Sequence, residues 1–345
     1  MKKPIGVFFS DTHLEERTIS INESIFIEAD NLALKLGVPL FHGGDIFTSR
    51  KAQSLSVLNA FGDILENLSS EMYIIPGNHD KTDLDSTVSY IDSFRHFPNL
   101  HLNREIGHIQ VNKNTSIWSL PYFKEEGNYP EYLKIMTESS AFNEEINNIL
   151  LTHISINGVK NNDLSVVDNK ISQDLFSKFD LVIIGHYHQR KEIGDNMLYL
   201  GSSYQGNFGE DDQKGFMVLY DDLTFEFVQS TFPKYVTEQI DLDTISNEEL
   251  IAVHTNAMMN KDSFVRMVVK GKEEKRKAFD KKRYEDDGIK VVFKDSSIEA
   301  EMDKASKGDF VSFNKSNIVE QFKNCCKEED WDYNHGLVYL EEILK

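Results

Sequence analysis

The sequence predicts an α/β protein in which a second sheet packs on the first, followed by a smaller α+β domain. Three observations predict it. Strand-like and helix-like segments alternate over residues 5–230, the pattern of sheets built with helical crossovers. Between 181 and 229 strand-like runs follow one another without helices, which calls for a second sheet. After Pro233 the alternation starts afresh.

The elements follow in order. IGVFF (5–9) is a short apolar run of a buried strand. Residues 22–36 place Ile25, Ala29, Leu32, Ala33 and Leu36 at helical spacing, and Gly37 stops that helix. PLFHGGD (39–45) is a strand with its exit loop, 52–68 a helix, and MYIIPGNHD (72–80) the third strand with its loop. A helical segment is expected near 84–96, a pair of strands over 109–121 and a helix over 129–147. NILLTH (148–153), LVIIGHYH (181–188), NMLYLGS (196–202), GFMVLYD (215–221) and LTFEFVQ (223–229) read as strands. Beyond Pro233, strands are expected at 237–243, 263–271 and 289–295, with helices at 246–259 and 272–285 and near 315–327 and 335–344. This divides the chain into a domain over 1–232, a capping domain over 233–312 and a helical tail over 313–345.

Composition narrows the class. A chain of 345 residues with 40% hydrophobic residues suits one large domain plus a smaller one. It has 7 prolines and no low-complexity tract, which argues against long disordered segments. The apolar run after the first lysines is interrupted at once by Asp11 and His13, too soon for a secretory signal, and no stretch is long enough to span a membrane. The two cysteines, Cys325 and Cys326, are adjacent and form no disulfide framework, so a reduced, cytoplasmic protein is expected. The formal charge is 37 − 57 = −20. That balance disfavours a stand-alone DNA binder, which neutralises phosphates with Lys and Arg. It leaves room for a nuclease whose bound cations supply local positive charge and whose partner supplies the grip.

One event recurs five times: an apolar strand ends and metal-ligand residue types follow. They are Asp11 and His13 in SDTH, Asp45 in GGD, Asn78, His79 and Asp80 in PGNHD, His153 in LLTH, and His186 and His188 in GHYH. Ligands collect outside the carboxyl ends of strands in open α/β sheets, so the five loops are expected to converge. Mixed oxygen and nitrogen donors without cysteine suit Mn²⁺, Fe²⁺, Zn²⁺ or Co²⁺. The candidates exceed what one octahedral ion needs, which suits two ions sharing a carboxylate.

D-x-H, G-D, G-N-H-D, a lone H and G-H-x-H in this order resemble the calcineurin-like metallophosphoesterases. The resemblance implies an α/β/β/α sandwich and two divalent ions. It implies that Asp11, His13 and His188 hold one ion, that Asn78, His153 and His186 hold the other, and that Asp45 bridges them. It places His79 beside the ions, acting on the substrate phosphate or the leaving oxygen, oriented by Asp80. In such a site a water between two cations about 3.5–4 Å apart is deprotonated and attacks phosphorus in line.

Within that superfamily, GDIFTSRKAQS (44–54) and YLGSSYQGNFGEDDQKGF (199–216) resemble the SbcD/Mre-type DNA nucleases, phage recombination subunits among them. The latter segment carries the ordered Gly-Ser, Phe-Gly-Glu and Lys-Gly-Phe elements. The resemblance implies a Mn²⁺-dependent DNA exo/endonuclease that pairs with itself and with an SbcC-like coiled-coil ATPase; a stand-alone nucleotide or cyclic-nucleotide phosphodiesterase is the alternative. Two departures are Thr48, where many of these nucleases have histidine, and Leu200, where proline is usual. The basic run between Lys270 and Arg283 reads either as a solvated helix face or as a phosphate-tracking edge. The apolar stripe Leu337, Leu340, Ile343 and Leu344 reads either as core or as a docking helix for the ATPase.

Overall fold

The computed structural model describes residues 2–125, 127–160, 166–259 and 263–294. The chain divides into two compact units, Met1–Thr237 with Thr255–Arg266, and Glu238–His254 with Met267–Lys345.

The first unit holds two six-stranded sheets. β1 (Pro4–Phe9) leads through α1 (Ile19–Leu36) to β2 (Leu40–His42), and α2 (Leu55–Asn67) leads to β3 (Met72–Ile74) and β4 (Leu100–Leu102). β5 (Gly107–Asn112) and β6 (Thr115–Leu120) precede α3 (Tyr129–Glu138), β7 (Asn147–His153), β8 (Leu181–Gly185), β9 (Lys191–Ile193) and β10 (Met197–Tyr199). β11 (Gly215–Tyr220) and β12 (Phe225–Gln229) complete the set. The first sheet is ordered β12-β11-β1-β2-β3-β4 and the second β5-β6-β7-β8-β10-β9. β1 to β4 run parallel, as do β6, β7, β8 and β10.

Alternation along the strands explains the layers. In β1, Val7 and Phe9 pack with α1 and α2, while Ile5 and Phe8 join Ile149, Leu151, Ile183 and Met217 in the layer between the sheets. In β7 and β8, Leu150, Val182 and Ile184 turn the other way, onto the side of α3. Strands buried on both faces read as continuous apolar runs. The result is helix, sheet, sheet, helix, as expected.

Three expected helices differ. The segment 84–96 holds only a 3₁₀ turn, Tyr90–Phe94. Side chains ahead of it capture backbone amides, Asp83 taking Asp85 N and Ser86 taking Val88 N, which competes with helix formation. α3 stops at Glu138, where Ser139 is extended and accepts from Ala141 N. The charged run after Lys270 is two short helices, because Asp280 caps Arg283 N and restarts the chain.

The C-terminal part has a three-stranded sheet ordered β13-β14-β15, from β13 (Tyr235–Asp241), β14 (Phe264–Lys270) and β15 (Lys290–Phe293). Its helices are α4 (Asn247–Met259), α5 (Glu273–Ala278) and α6 (Lys281–Asp286). α5 buries no residue, which fits a solvated face. The two expected tail helices lie outside the described residues.

Candidate metal centre

The carboxyl ends of β1, β2, β3, β7 and β8 bring the five loops together. Asp11 N donates to Gly44 O at 3.0 Å, and His13 N to Asp45 O at 3.1 Å, joining the first two loops. The Asp11 carboxylate accepts from His186 N at 3.0 and 3.1 Å, joining the first to the fifth. His153 Nδ1 donates to Gly43 O at 2.7 Å across the sandwich. Close approach demands glycine at two points. A Cβ on Gly77 would stand 2.2 Å from Asp45 Oδ1, and one on Gly185 would stand 2.4 Å from Gly43 O.

Two donor groups result, Asp11 with His13 and His188, and Asp45 with His153 and His186, each with ligand atoms within 4.8 Å of one another. Asn78 joins the second: its Oδ1 lies 3.1 Å from His153 Nε2 and 2.9 Å from His186 Nδ1. Asp45 lies between the groups. Its Oδ1 accepts from His79 N at 2.7 Å, while Oδ2 is 3.3 Å from His153 Nε2 and 3.9 Å from His13 Nε2.

The donor set fits divalent cations. His188 Nδ1 faces Glu210 Oε1 at 2.9 Å, which directs its Nε2 lone pair to His13 Nε2, 2.9 Å away. In the second group, His153 Nε2, His186 Nδ1 and Asn78 Oδ1 converge as acceptors, since His153 spends its Nδ1–H on Gly43. Converging lone pairs need a proton or a cation between them. Burial pushes His13 and His186 down to about 3, leaving them neutral with lone pairs available. His153 behaves differently: burial opposes its charge, but Asp45, together with Asp11 and the Gly43 carbonyl, outweighs it and raises His153 to about 9. A cation at the second group therefore displaces a proton.

The expected link between His79 and Asp80 needs a correction. The ring of His79 lines the cleft, but its Nδ1 is held by the carbonyl of Thr48 at 2.6 Å. Asp80 does not orient that ring. Its carboxylate accepts from the amides of Asp45, Phe47 and Gly77 at 2.9, 3.0 and 2.8 Å, tying the second loop to the third. Burial and the nearby Asp45 push Asp80 up to about 7, and the amides pull against that shift.

The segment 199–216 wraps the first and fifth loops. Ser203 Oγ donates to Ser10 O at 3.1 Å and Tyr204 Oη to Thr12 O at 2.8 Å. Lys214, fully buried, pairs with Glu210 at 3.2 Å and donates to His188 O at 2.5 Å. Burial works against the Glu210 charge, but His188 and Lys214 hold it down at about 2. Sequence reasoning gave no role to Glu210 or Lys214, although both stand in the quoted Phe-Gly-Glu and Lys-Gly-Phe elements. The donors open into a cleft of about 470 Å³, lined also by Glu15, Arg17, Thr48 and Asn207. Among the described residues, no helix is long and apolar enough to cross a membrane.

This fold and this site define a metal-dependent phosphoesterase. Residues 7–190 match the family model described as calcineurin-like phosphoesterase, and the chain belongs to that family, whose members use divalent metals. A protein of Invertebrate iridescent virus 6 with the name "Putative phosphoesterase 244L" is 23% identical over 287 residues, covering 80% of this chain and 97% of that protein. The calcineurin-like phosphoesterase YfkN from Bacillus subtilis aligns over 66% of this chain and 89% of its own with a TM-score of 0.36 and 11% identity.

Proposed function

We propose that this phosphoesterase is a Mn²⁺-dependent DNA phosphodiesterase, the nuclease subunit of an SbcCD-type repair or recombination complex. One observation carries the two-ion reading: Asp45 Oδ2 faces both donor groups, 3.3 Å from His153 and 3.9 Å from His13. On this reading Asp11, His13 and His188 hold one ion, Asn78, His153 and His186 the other, and Asp45 serves both. When bound, the ions make a water acidic and neutralise charge on the phosphate oxygens. The chain's own residues do the rest. His79, tied through Nδ1 to Thr48 O and lining the cleft, is the group that assists the departing oxygen as a general acid.

The nucleic-acid substrate is supported by the sequence elements of 199–216 and by what stands beside them. Phe208 packs edge-on against Tyr235 at 4.9 Å, Tyr235 stacks on Phe264 at 4.6 Å, and the Arg266 guanidinium lies 4.6 Å over Phe208. Rings interleaved with a guanidinium suit single-stranded bases. The net charge of −20 supports a partner that brings the basic surface. On this reading the nuclease pairs with itself and with a coiled-coil ATPase docked on the tail beyond 313, and works in the cytoplasm.

Hydrolysis of bis-p-nitrophenyl phosphate with Mn²⁺, abolished by EDTA, tests the chemistry. Cleavage of linear DNA by the complex, with cyclic nucleotides untouched, tests the substrate. Cyclic-nucleotide hydrolysis without DNA cleavage would sink the nuclease reading and favour the small-substrate enzyme, which the acidic cleft lining of Glu15, Asp11, Asp45 and Glu210 also suits. Capture of the ATPase by the full chain but not by a folded chain ending at 314 is expected. Capture by both would overturn tail docking.

A further inference from the structure

We infer that Glu210 and Lys214 are positioning residues that set the strength of one metal position, the one formed by Asp11, His13 and His188. This rests on the two-ion reading above. The two donor groups are backed differently. His153 is held from behind by a backbone carbonyl, Gly43 O at 2.7 Å. His188 is held by a carboxylate, Glu210 Oε1 at 2.9 Å from Nδ1. A carboxylate behind a ligating imidazole fixes its tautomer and makes the facing nitrogen a stronger donor.

Lys214 makes this backing rigid. Its ammonium, with the side chain 1% exposed, reaches Glu210 Oε2 at 3.2 Å and the carbonyl of His188 itself at 2.5 Å. One cation thus grips both the carboxylate behind the ring and the backbone that carries the ring. Glu210 is itself shaped from its own loop: Oε2 accepts from Gly206 N at 3.1 Å and Oε1 from Asn207 Nδ2 at 3.1 Å. Burying a charged pair costs desolvation that it repays only with good geometry and further hydrogen bonds. This pair has those bonds, and they end on a proposed ligand. The Phe-Gly-Glu and Lys-Gly-Phe elements thereby gain a physical role, since they supply the two charges.

The test is Co²⁺ and Mn²⁺ titration of Glu210→Gln by calorimetry and visible absorption, with melting in EDTA alongside. Glutamine keeps the shape and an acceptor oxygen but removes the charge. One of the two binding steps should weaken about 10–100-fold, with the other unchanged and the EDTA melting temperature close to wild type. Two unchanged steps would overturn the inference, as would equal weakening of both steps with a lowered EDTA melting temperature, the mark of a merely structural role. If Glu210→Gln does not fold, Glu210→Gln with Lys214→Met replaces the pair by neutral side chains of similar size, and the same single-step loss is expected. A wild type that binds one ion, still weakened by Glu210→Gln, would keep this inference and overturn the two-ion reading.

Discussion

Replacing Asp45 by asparagine has two effects that pull apart with pH. In the metal-free protein the Asp45 carboxylate is the main charge that raises buried His153 from 6.5 to about 9. A raised histidine contributes stability that is fully present below its unfolded value and lost as pH rises through its folded value. A rise of that size corresponds to about 3 kcal/mol. In EDTA, Asp45→Asn should therefore be less stable than wild type by about 3 kcal/mol at pH 6, and the difference should close as pH approaches 9. With Mn²⁺ the trend reverses. A cation must displace the His153 proton, so the wild-type gain in stability from metal should grow with pH over the same window, while Asp45→Asn gains little. Urea unfolding at several pH values, with and without Mn²⁺, reads both trends, and metal analysis after dialysis reads the stoichiometry. An EDTA stability gap that stays constant from pH 6.5 to 9, or two tightly held ions in Asp45→Asn, would rule out this coupling between Asp45 and His153.

Other outcomes follow from the same geometry. His79→Gln should keep two ions, because its ring is tied to Thr48 O rather than to the donor groups. Its rate on bis-p-nitrophenyl phosphate should fall about 10²–10⁴-fold, and loss of metal with the rate would instead make His79 a ligand. Gly77→Ala puts a Cβ 2.2 Å from Asp45 Oδ1, so calorimetry should show weakened Mn²⁺ binding and urea melts a loss of about 1–3 kcal/mol; normal binding would show that the loop can yield there.

The proposed ligands were legible because each follows an apolar strand that the sheets bury on both faces. Val7, Phe9, Leu150 and Val182 announce the strands, and the polar residues after them have nowhere to go but the strand ends. The support behind the ligands was less legible. The group that holds His79 is the backbone carbonyl of Thr48, and backbone carbonyls carry no letter in the sequence. Glu210 stands 22 residues after His188, in a loop whose turn-rich composition reads equally as a simple connection. The helix expected near 84–96 failed for a related reason. Asp83 and Ser86 spend side-chain oxygens on local amides, and apolar spacing is blind to that competition.

The backbone at the site points to a cost that the chemistry imposes on the fold. Asp11, His13, Asp45 and His186 all have positive φ, at 55°, 43°, 57° and 95°, and among the described non-glycine residues only Leu223 joins them. Such conformations cost on the order of 1–3 kcal/mol each and persist where the surroundings enforce them. Here they turn the chain back at the strand ends so that the donors face one another. His186 is the sharpest case, since its φ of 95° lies well outside the left-handed well near +50 to +70° that aspartate and histidine both visit. Strain and ligation can be separated there by comparing His186→Ala with His186→Gly in EDTA. Both remove the donor, and the gaps they leave differ by one methyl group. Alanine keeps the strain; glycine relieves it, less about 0.4–1 kcal/mol for the freedom glycine gives the unfolded chain. Urea unfolding should find His186→Gly more stable than His186→Ala by about 1 kcal/mol. A glycine variant less stable than the alanine variant would mean that position 186 is unstrained.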